Sequence, residues 1–459
     1  MNDWNGQRVL ILGAARQGLA LARFLAQHGA SVTLNDQHTP QQLSTAQAEL
    51  DGLPVRWVLG QHPLRLLEQT DLVCVSGGVP LSLPIIQAAL HMGLPLSNDS
   101  QIFMQAVPCP VIGLTGSAGK TTTTTLLGRM AEAGHRPEQK VWVGGNIGRP
   151  LITFVEEMRP GDLVILELSS FQLELMSLSP QVAAVLNVTP NHLDRHGTLE
   201  AYTAAKRRIL DFQAPQNVAV LCHEDPGAWA LAGAVRGGLS SFGFSQPPQG
   251  RGACLQDGWV NLVADGRASP VLPQAEVRLR GDHNLMNVLA ACAIAGAAGF
   301  SPQAMRTGVQ GFTGVPHRLE LVRELNGVAW YNDSIATAPE RTMAAIRAFS
   351  EPLVLLLGGR DKDLPWQSLA QLVHARVDHV VVFGEAAPKI LAALGTVTAG
   401  QRPYTLERCD SLQEAIQAAA NVAEAGDVVL LSPGGTSFDA FKDFEERGEY
   451  YRKWITQLT

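Results

Sequence analysis

The chain has 459 residues, 46% hydrophobic and 17% charged, enough core material for about three soluble globular domains. A formal net charge of -7 argues against nucleic acid as a main partner. Six scattered cysteines lack metal-ligand spacing and read as reduced thiols, the opening residues do not read as a signal peptide, and the bland stretch 287–300 falls short of the ~20 residues a membrane span needs. The expectation is a cytoplasmic protein with no nucleic-acid or membrane partner.

Strand–helix–strand alternation runs through almost the whole chain. It predicts an α/β fold of three domains, at 1–100, 101–314 and 315–459, each with a mostly parallel sheet flanked by helices. The first block opens with a strand at 8–13 and a helical pattern over 19–28. A second strand, 31–34, ends at Asn35 and Asp36, and a later one, 71–75, runs into Ser76, Gly77 and Gly78. Gly13-x-Ala15-x-x-Gly18, with Asp36 ending the next strand, resembles a dinucleotide fingerprint. Ala15 crowds the place where a pyrophosphate would approach the backbone. A nucleotide diphosphate other than NAD is expected here, with NAD or mere tight packing as alternatives. Ser76 to Gly78 follows a strand of the same sheet, where ligands gather in open α/β folds.

The second block carries Val111-Ile-Gly-Leu-Thr-Gly-Ser-Ala-Gly-Lys-Thr-Thr122, a strand, a glycine-rich turn and a helix start. The backbone N–H groups of such a turn and the positive helix end hold polyphosphate, while Lys120 reaches the outer phosphates and Thr121 holds Mg²⁺. The strict pattern wants glycine at Leu114; glycines fall at 113 and 116 instead. A chance Lys-Thr after a glycine turn is the alternative, but the elements come in the required order, so ATP or GTP is expected. Apolar strands are predicted at 163–168, 182–188 and 218–221, a surface excursion at 243–252, and an Ala-rich helix over 285–298. Glu167 near its strand's carboxyl end would suit a nucleotide-bound Mg²⁺; a solvated glutamate is the alternative. His192, in Asn187-Val-Thr-Pro-Asn-His-Leu-Asp-Arg-His196, is placed to bind a second metal or touch substrate, or else is structural. Lys206 reads locally as a basic helix face in water, although lysine is readily shifted in pKa by burial.

The third block, with strands expected at 353–357, 379–383 and 428–431, holds four polar segments. These are Pro316-His-Arg-Leu-Glu320, Tyr331-Asn-Asp-Ser334, Gly358-Gly-Arg-Asp-Lys362 and Leu431-Ser-Pro-Gly-Gly-Thr-Ser437. The last three follow apolar strands and are predicted to converge on one sheet edge. Arg318, Lys362 and a helix N-terminus near Ser437 would suit an acidic small molecule, the alternative being loops without a ligand.

Taken together, these segments resemble the Mur ligases of peptidoglycan synthesis, in the same order over essentially the whole chain. The sharpest motifs are Thr115-Gly-Ser-Ala-Gly-Lys-Thr121, Gly144-Gly-Asn-Ile-Gly148, Glu167-Leu-Ser-Ser-Phe-Gln-Leu-Glu174, Asn187-Val-Thr189 with His192-Leu-Asp194, and Asn332-Asp-Ser334. The resemblance, nearest to the glutamate-adding members, implies a Rossmann-like UDP-sugar domain, a central P-loop ATPase and a Rossmann-like amino-acid domain. It implies ATP-dependent ligation of glutamate, foremost D-glutamate, to UDP-N-acetylmuramoyl-L-alanine through an acyl phosphate, by a monomer. By that resemblance Gln17, Asp36, Ser76, Gly77, Gly78, Asn146 and His192 meet the UDP-sugar. Gly116, Ser117, Gly119, Lys120, Thr121 and Thr122 hold the triphosphate, with Asn284, Asn287, Arg318 and Asp333 also on ATP. Thr337, Lys362, Ser437 and Phe444 fall where glutamate binds. Lys120, Glu167, His192 and Lys206 are the implied catalytic set. Two Mg²⁺ ions are implied, one on Thr121 and Glu167, the other on His192 and a carbamylated Lys206.

This sequence departs from the family's pattern at two places. Ala118 replaces the usual asparagine of the phosphate loop, and Ile335 stands where glutamate-adding members usually have lysine. The second change removes a cation near an acidic substrate and leaves D- against L-glutamate open. Another Mur ligase and a folylpolyglutamate synthetase-type enzyme are the alternative ligases; 13–80, which resembles the UDP domain, speaks against the latter. A nucleotide-switched binding protein without ligase activity is the reading from another class. Because an acyl phosphate must be kept from water, the third block is expected to close over the second through a hinge near Gly314.

Overall fold

A computed structural model describes residues 3–361, 363–398 and 400–458. The chain divides into two compact units. The first ends at Phe312 and omits Leu279–Gly281; the second consists of Leu279–Gly281 and the chain from Thr313 on.

Two sheets build the first unit. The leading sheet comprises β1 (Arg8–Leu12), β2 (Ser31–Asp36), β3 (Val55–Leu59), β4 (Leu72–Val75) and β5 (Leu96–Ser97), all parallel, in the order β3-β2-β1-β4-β5. Leu10, Leu12, Val73 and Val75 are buried with Ile85 and Ile86 of the helix Pro84–His91. Helices cover such a sheet on its faces, hence the continuous apolar runs of its central strands. The order reverses between β1 and β4, so the loops after these two strands face one crevice.

The second sheet has nine strands: β6 (Val111–Thr115), β7 (Val141–Gly145), β8 (Leu163–Glu167), β9 (Val182–Val185), β10 (Val218–Cys222), β11 (Gly238–Phe242), β12 (Gly252–Gln256), β13 (Trp259–Ala264) and β14 (Arg267–Pro273). Their order is β14-β13-β12-β11-β10-β9-β6-β8-β7, parallel from β12 to β7 and antiparallel from β12 to β14. The surface excursion expected at 243–252 is the connection from β11 to β12, a largely exposed loop over 243–251; the antiparallel extension of the sheet that follows it is not foreseen in the sequence reading. Asp257-Gly258 and Asp265-Gly266, all with positive φ, make its two-residue hairpin turns. Strand β9 stops at Val185, short of the expected 188. The helix Asp282–Ala297 packs on β10, β11 and β12, and its alanines permit that close approach.

The second unit is a six-stranded sheet of β15 (Glu320–Leu325), β16 (Val328–Asn332), β17 (Leu353–Gly358), β18 (His379–Phe383), β19 (Thr405–Arg408) and β20 (Val428–Gly434). Its order is β15-β16-β20-β17-β18-β19, parallel except for β15. One apolar core lies on each face. Since β16, β20 and β17 are adjacent, the loops after them share one edge, as the sequence predicts. Among the described residues no helix is long and apolar enough to cross a membrane, and all six cysteines are buried and free.

Candidate active site

Strand β6 is wholly buried and delivers the chain into the phosphate loop, after which the helix Lys120–Gly134 begins. Gly119 sits at φ +80, in the left-handed region, and a Cβ there would collide with Asn287 Oδ1. A Cβ on Gly116 would come within 2.9 Å of Leu186. Gly113 serves a different end: its missing side chain admits Pro180. Asn287 also donates to Asn284 Oδ1 at 3.2 Å, so both asparagines of the helix Asp282–Ala297 border the loop. The first N–H groups of the helix, from Lys120 to Thr122, have no intrahelical acceptor and form an anion-binding end.

Asn187 grips this loop from β9's side. Its backbone oxygen accepts from Ser117 N–H at 3.0 Å, its Oδ1 from Ala118 N–H at 2.8 Å, and its Nδ2 donates to Ala118 O at 3.1 Å. Ser117 Oγ donates to Thr189 O and receives Tyr202 OH at 3.1 Å. Ala118 thus keeps its backbone groups employed although it lacks the asparagine side chain.

Two lysines converge below the loop. Lys120 Nζ and Lys206 Nζ each donate to Gly116 O at 2.9 Å, and Lys206 also reaches Thr115 Oγ1 at 3.3 Å. Lys206 is 1% exposed, which corrects the reading of its segment as a basic face in water. Burial, reinforced by the Lys120 charge, pushes its pKa down to about 7. On the helix Leu199–Asp211 the buried positions are Tyr202, Ala205, Lys206, Ile209 and Leu210. That is the i, i+3, i+4, i+7, i+8 stripe of a core-facing helix, so periodicity alone could have placed Lys206 inside.

Glu167 ends β8, whose register sets it beside Leu114 of β6. It is 1% exposed; Oε1 accepts from Asn146 Nδ2 at 3.3 Å, and Oε2 has no hydrogen-bond partner in the described structure. A buried carboxylate oxygen left without a donor is what a bound cation would satisfy. Gly145, at φ +108, lets the Asn146 N–H reach Glu167 O at 2.8 Å. No cluster of three or more His, Cys, Asp or Glu suited to a metal occurs among the described residues.

His192 is exposed, takes a left-handed φ of 52, and meets the Phe171 ring edge-on at 5.1 Å. Phe171 is also stacked on His196 and covered by the Arg195 guanidinium at 4.4 Å. Arg195 donates to Gly78 O and Val79 O, tying the loop after β4 to the turn that carries His192. His196 bridges Ser170 Oγ and Glu174, each at 3.0 Å. At the crevice of the leading sheet, Ser76 Oγ donates to Gly13 O and Gln17 Oε1 lies near Gly77. Asp36 accepts from Ala14 N–H at 2.7 Å and from His38 N–H. Burial would raise its pKa, but these bonds outweigh it and hold it below the ordinary value.

In the second unit, Asp333 lies just past β16 and accepts from Ser432 Oγ at 2.8 Å and Leu319 N–H at 3.2 Å. Burial raises its pKa to about 7 despite these bonds. Arg447, fully buried on the helix Phe444–Gln457, donates to Ser334 O, Ser334 Oγ and Gly435 O; Phe444 O accepts from Ser334 Oγ. It locks the loops that carry Thr337 and Ser437, and burial pulls its pKa down to about 10. Lys362 lies outside the described residues. Sequence reasoning passed over Asn187, Tyr202, Arg195 and Arg447 as individual contributors. Asn187 follows an apolar strand next to the phosphate loop, a legible signal; Arg447 stands in a charged helix and gives none.

Three domain families match the chain: the Mur ligase MurD-like N-terminal domain over residues 7–97, the Mur ligase middle domain over 114–295, and the Mur ligase glutamate ligase domain over 317–435. The UDP-N-acetylmuramoylalanine--D-glutamate ligase of Symbiobacterium thermophilum is 42% identical over 454 residues, covering 99% of this chain and 98% of its own. That of Geobacter metallireducens is 40% identical over 457 residues, covering 99% and 98%. Among solved structures, UDP-N-acetylmuramate-alanine ligase MurC from Thermotoga maritima shares the fold with a TM-score of 0.56 at 18% identity, covering 98% of this chain and 99% of its own. E. coli FolC in complex with ADP does so at 0.56 and 18%, covering 78% and 92%.

Proposed function

The chain belongs to the Mur ligase family, and from that premise we propose that it joins D-glutamate to UDP-N-acetylmuramoyl-L-alanine, using ATP and releasing ADP and phosphate. It is on this reading an ATP-dependent acid–amino-acid ligase of peptidoglycan synthesis, working as a cytoplasmic monomer, with domains at 1–100, 101–314 and 315–459. The observation that carries the reading is the meeting of Lys120 and Lys206 at Gly116 O beside the strand that ends in the unsatisfied Glu167.

A carboxylate is a poor acyl donor. An oxygen of the alanyl carboxylate therefore attacks the γ-phosphorus, the bond to ADP breaks, and an acyl phosphate forms. Lys120 and the helix N–H groups around Thr121 and Thr122 offset charge on the phosphoryl group in transit. The neutral amine of glutamate then attacks the acyl carbon, a tetrahedral intermediate collapses, phosphate leaves, and the amine proton passes to a base. Gln17, Asp36 and Ser76 to Gly78 hold the UDP end, Asn146 and His192 the muramoyl end. Asn284, Asn287, Arg318 and Asp333 hold ATP, and Thr337, Lys362, Ser437 and Phe444 hold glutamate. Closure about Gly314, which has a φ of +134, excludes water.

The buried oxygen of Glu167 fits a cation. Glu167 and Thr121 would hold one Mg²⁺, and His192 with Lys206 a second; bound there, the ions supply charge neutralisation at the phosphates. Lys206 becomes a ligand only as an anion. With its pKa near 7, its neutral amine adds to CO₂, forming an N–C bond and losing a proton to give a carbamate.

Phosphate release with ATP, Mg²⁺ and UDP-N-acetylmuramoyl-L-alanine, with D- or L-glutamate added in turn, tests the proposal. Release that requires the UDP-sugar and D-glutamate is expected. Release indifferent to both, or requiring a folate or a diamino acid, overturns it.

A further inference from the structure

An acidic amino acid brings two carboxylates to the site, and position 335 offers them only an isoleucine side chain. The neighbourhood of that residue supplies a different cation. Ile335 O accepts two hydrogen bonds, from Thr337 N–H at 2.9 Å and from Arg341 Nη1 at 3.2 Å. The Arg341 guanidinium thus lies against the same tight turn that presents Thr337. It projects from the first turn of the helix Pro339–Arg347, whose Thr342 Oγ1 donates to Ser432 O at the carboxyl end of β20. The turn itself is fixed from below by Gly434 N–H to Ala336 O and by Arg447 to Ser334 O.

The other arginines of this edge are committed. Arg360 is held in two-pronged fashion by Glu385 at 2.8 and 3.1 Å. Arg447 is fully buried and spent on Ser334 and Gly435, and Arg318 is assigned to ATP above. Arg341 is exposed and makes no ion pair with a carboxylate among the described residues. Its contact with a neutral carbonyl orients the guanidinium; the buried Asp333 carboxyl feels its charge but makes no hydrogen bond or ion pair with it, leaving N–H donors for a planar carboxylate.

We propose that Arg341 receives a carboxylate of the incoming acidic amino acid, supplying from the helix Pro339–Arg347 the positive charge that position 335 lacks. This rests on the ligase reading above and makes Arg341 a specificity-determining residue for it.

Steady-state kinetics on the full chain test the assignment, measured as phosphate release with each substrate varied in turn. Arg341→Ala is expected to raise KM for D-glutamate about ten- to a hundredfold, the range of a charge-assisted hydrogen bond. KM for ATP and for UDP-N-acetylmuramoyl-L-alanine should stay within about twofold. Arg341→Lys should lose less than Arg341→Ala, and adding Ile335→Lys to Arg341→Ala should recover glutamate affinity. An unchanged glutamate KM in Arg341→Ala overturns the proposal, as does a parallel rise of all three KM values, which would mark a merely structural strut. Failure of the ligase reading looks different: the unaltered protein would then show no release dependent on glutamate.

Discussion

Replacing Lys206 by methionine separates what the fold tolerates from what the chemistry requires. The lysine pKa falls from 10.5 to about 7 in the folded chain, which at about 1.4 kcal/mol per decade weakens proton binding by roughly 5 kcal/mol. The unfolded chain therefore holds more protons between pH 7 and 10.5, and stability rises with pH through that window. Below it the full penalty applies, and above it none. Methionine keeps the apolar stem but loses the hydrogen bonds to Gly116 O and Thr115 Oγ1, about 1 kcal/mol each. The variant should thus be about 3 kcal/mol more stable than the parent near pH 7, equal near pH ~9, and slightly less stable above that. Urea unfolding midpoints across this range, in CO₂-free buffer, measure the difference. Bicarbonate should then stabilise the parent alone, since a carbamate removes the penalised cation, while ligation in Lys206→Met falls by about 10²-fold or more. A variant less stable at pH 7, or a stability gap constant in pH, would refute the argument.

Three further outcomes follow from the same geometry. Asn187→Ala removes the side-chain bonds to Ala118 N–H and O, so KM for ATP should rise about tenfold while stability drops by about 1–2 kcal/mol, read by initial rates and urea melts. Gly119→Ala forces a side chain into φ +80 and onto Asn287; a loss of about 1–2 kcal/mol and markedly weaker ADP binding by calorimetry are expected. Arg447→Met leaves the Ser334 and Gly435 carbonyls unpaired in a buried place. It should destabilise the second unit by about 2–4 kcal/mol, seen as faster amide exchange in residues 332–337.

Much of the site could be read from local pattern. The phosphate loop, the strand-end Glu167, and the polar segments after β16, β17 and β20 each depend on a few neighbouring residues and on the backbone conformations these allow. The hairpins from β12 to β14 were equally legible in their Asp-Gly pairs, although only the loop over 243–251 that precedes them is named among the sequence-based expectations. Lys206 was legible only through the helical period: it stands beside Arg207 and Arg208 in one basic run, where composition cannot say which cation is inside, but it falls on the 202, 205, 206, 209, 210 stripe.

Sequence by itself determined the α/β alternation, the order of the motifs and the kind of chemistry each could support, because those follow from side-chain period and turn stereochemistry within a dozen residues. The tertiary structure alone decided that Lys120 and Lys206 share one carbonyl and that Asn187 holds a loop about 70 residues away. Those pairings depend on strand order and on which helix face is buried, and both are fixed by packing between distant segments rather than by any segment's own preferences.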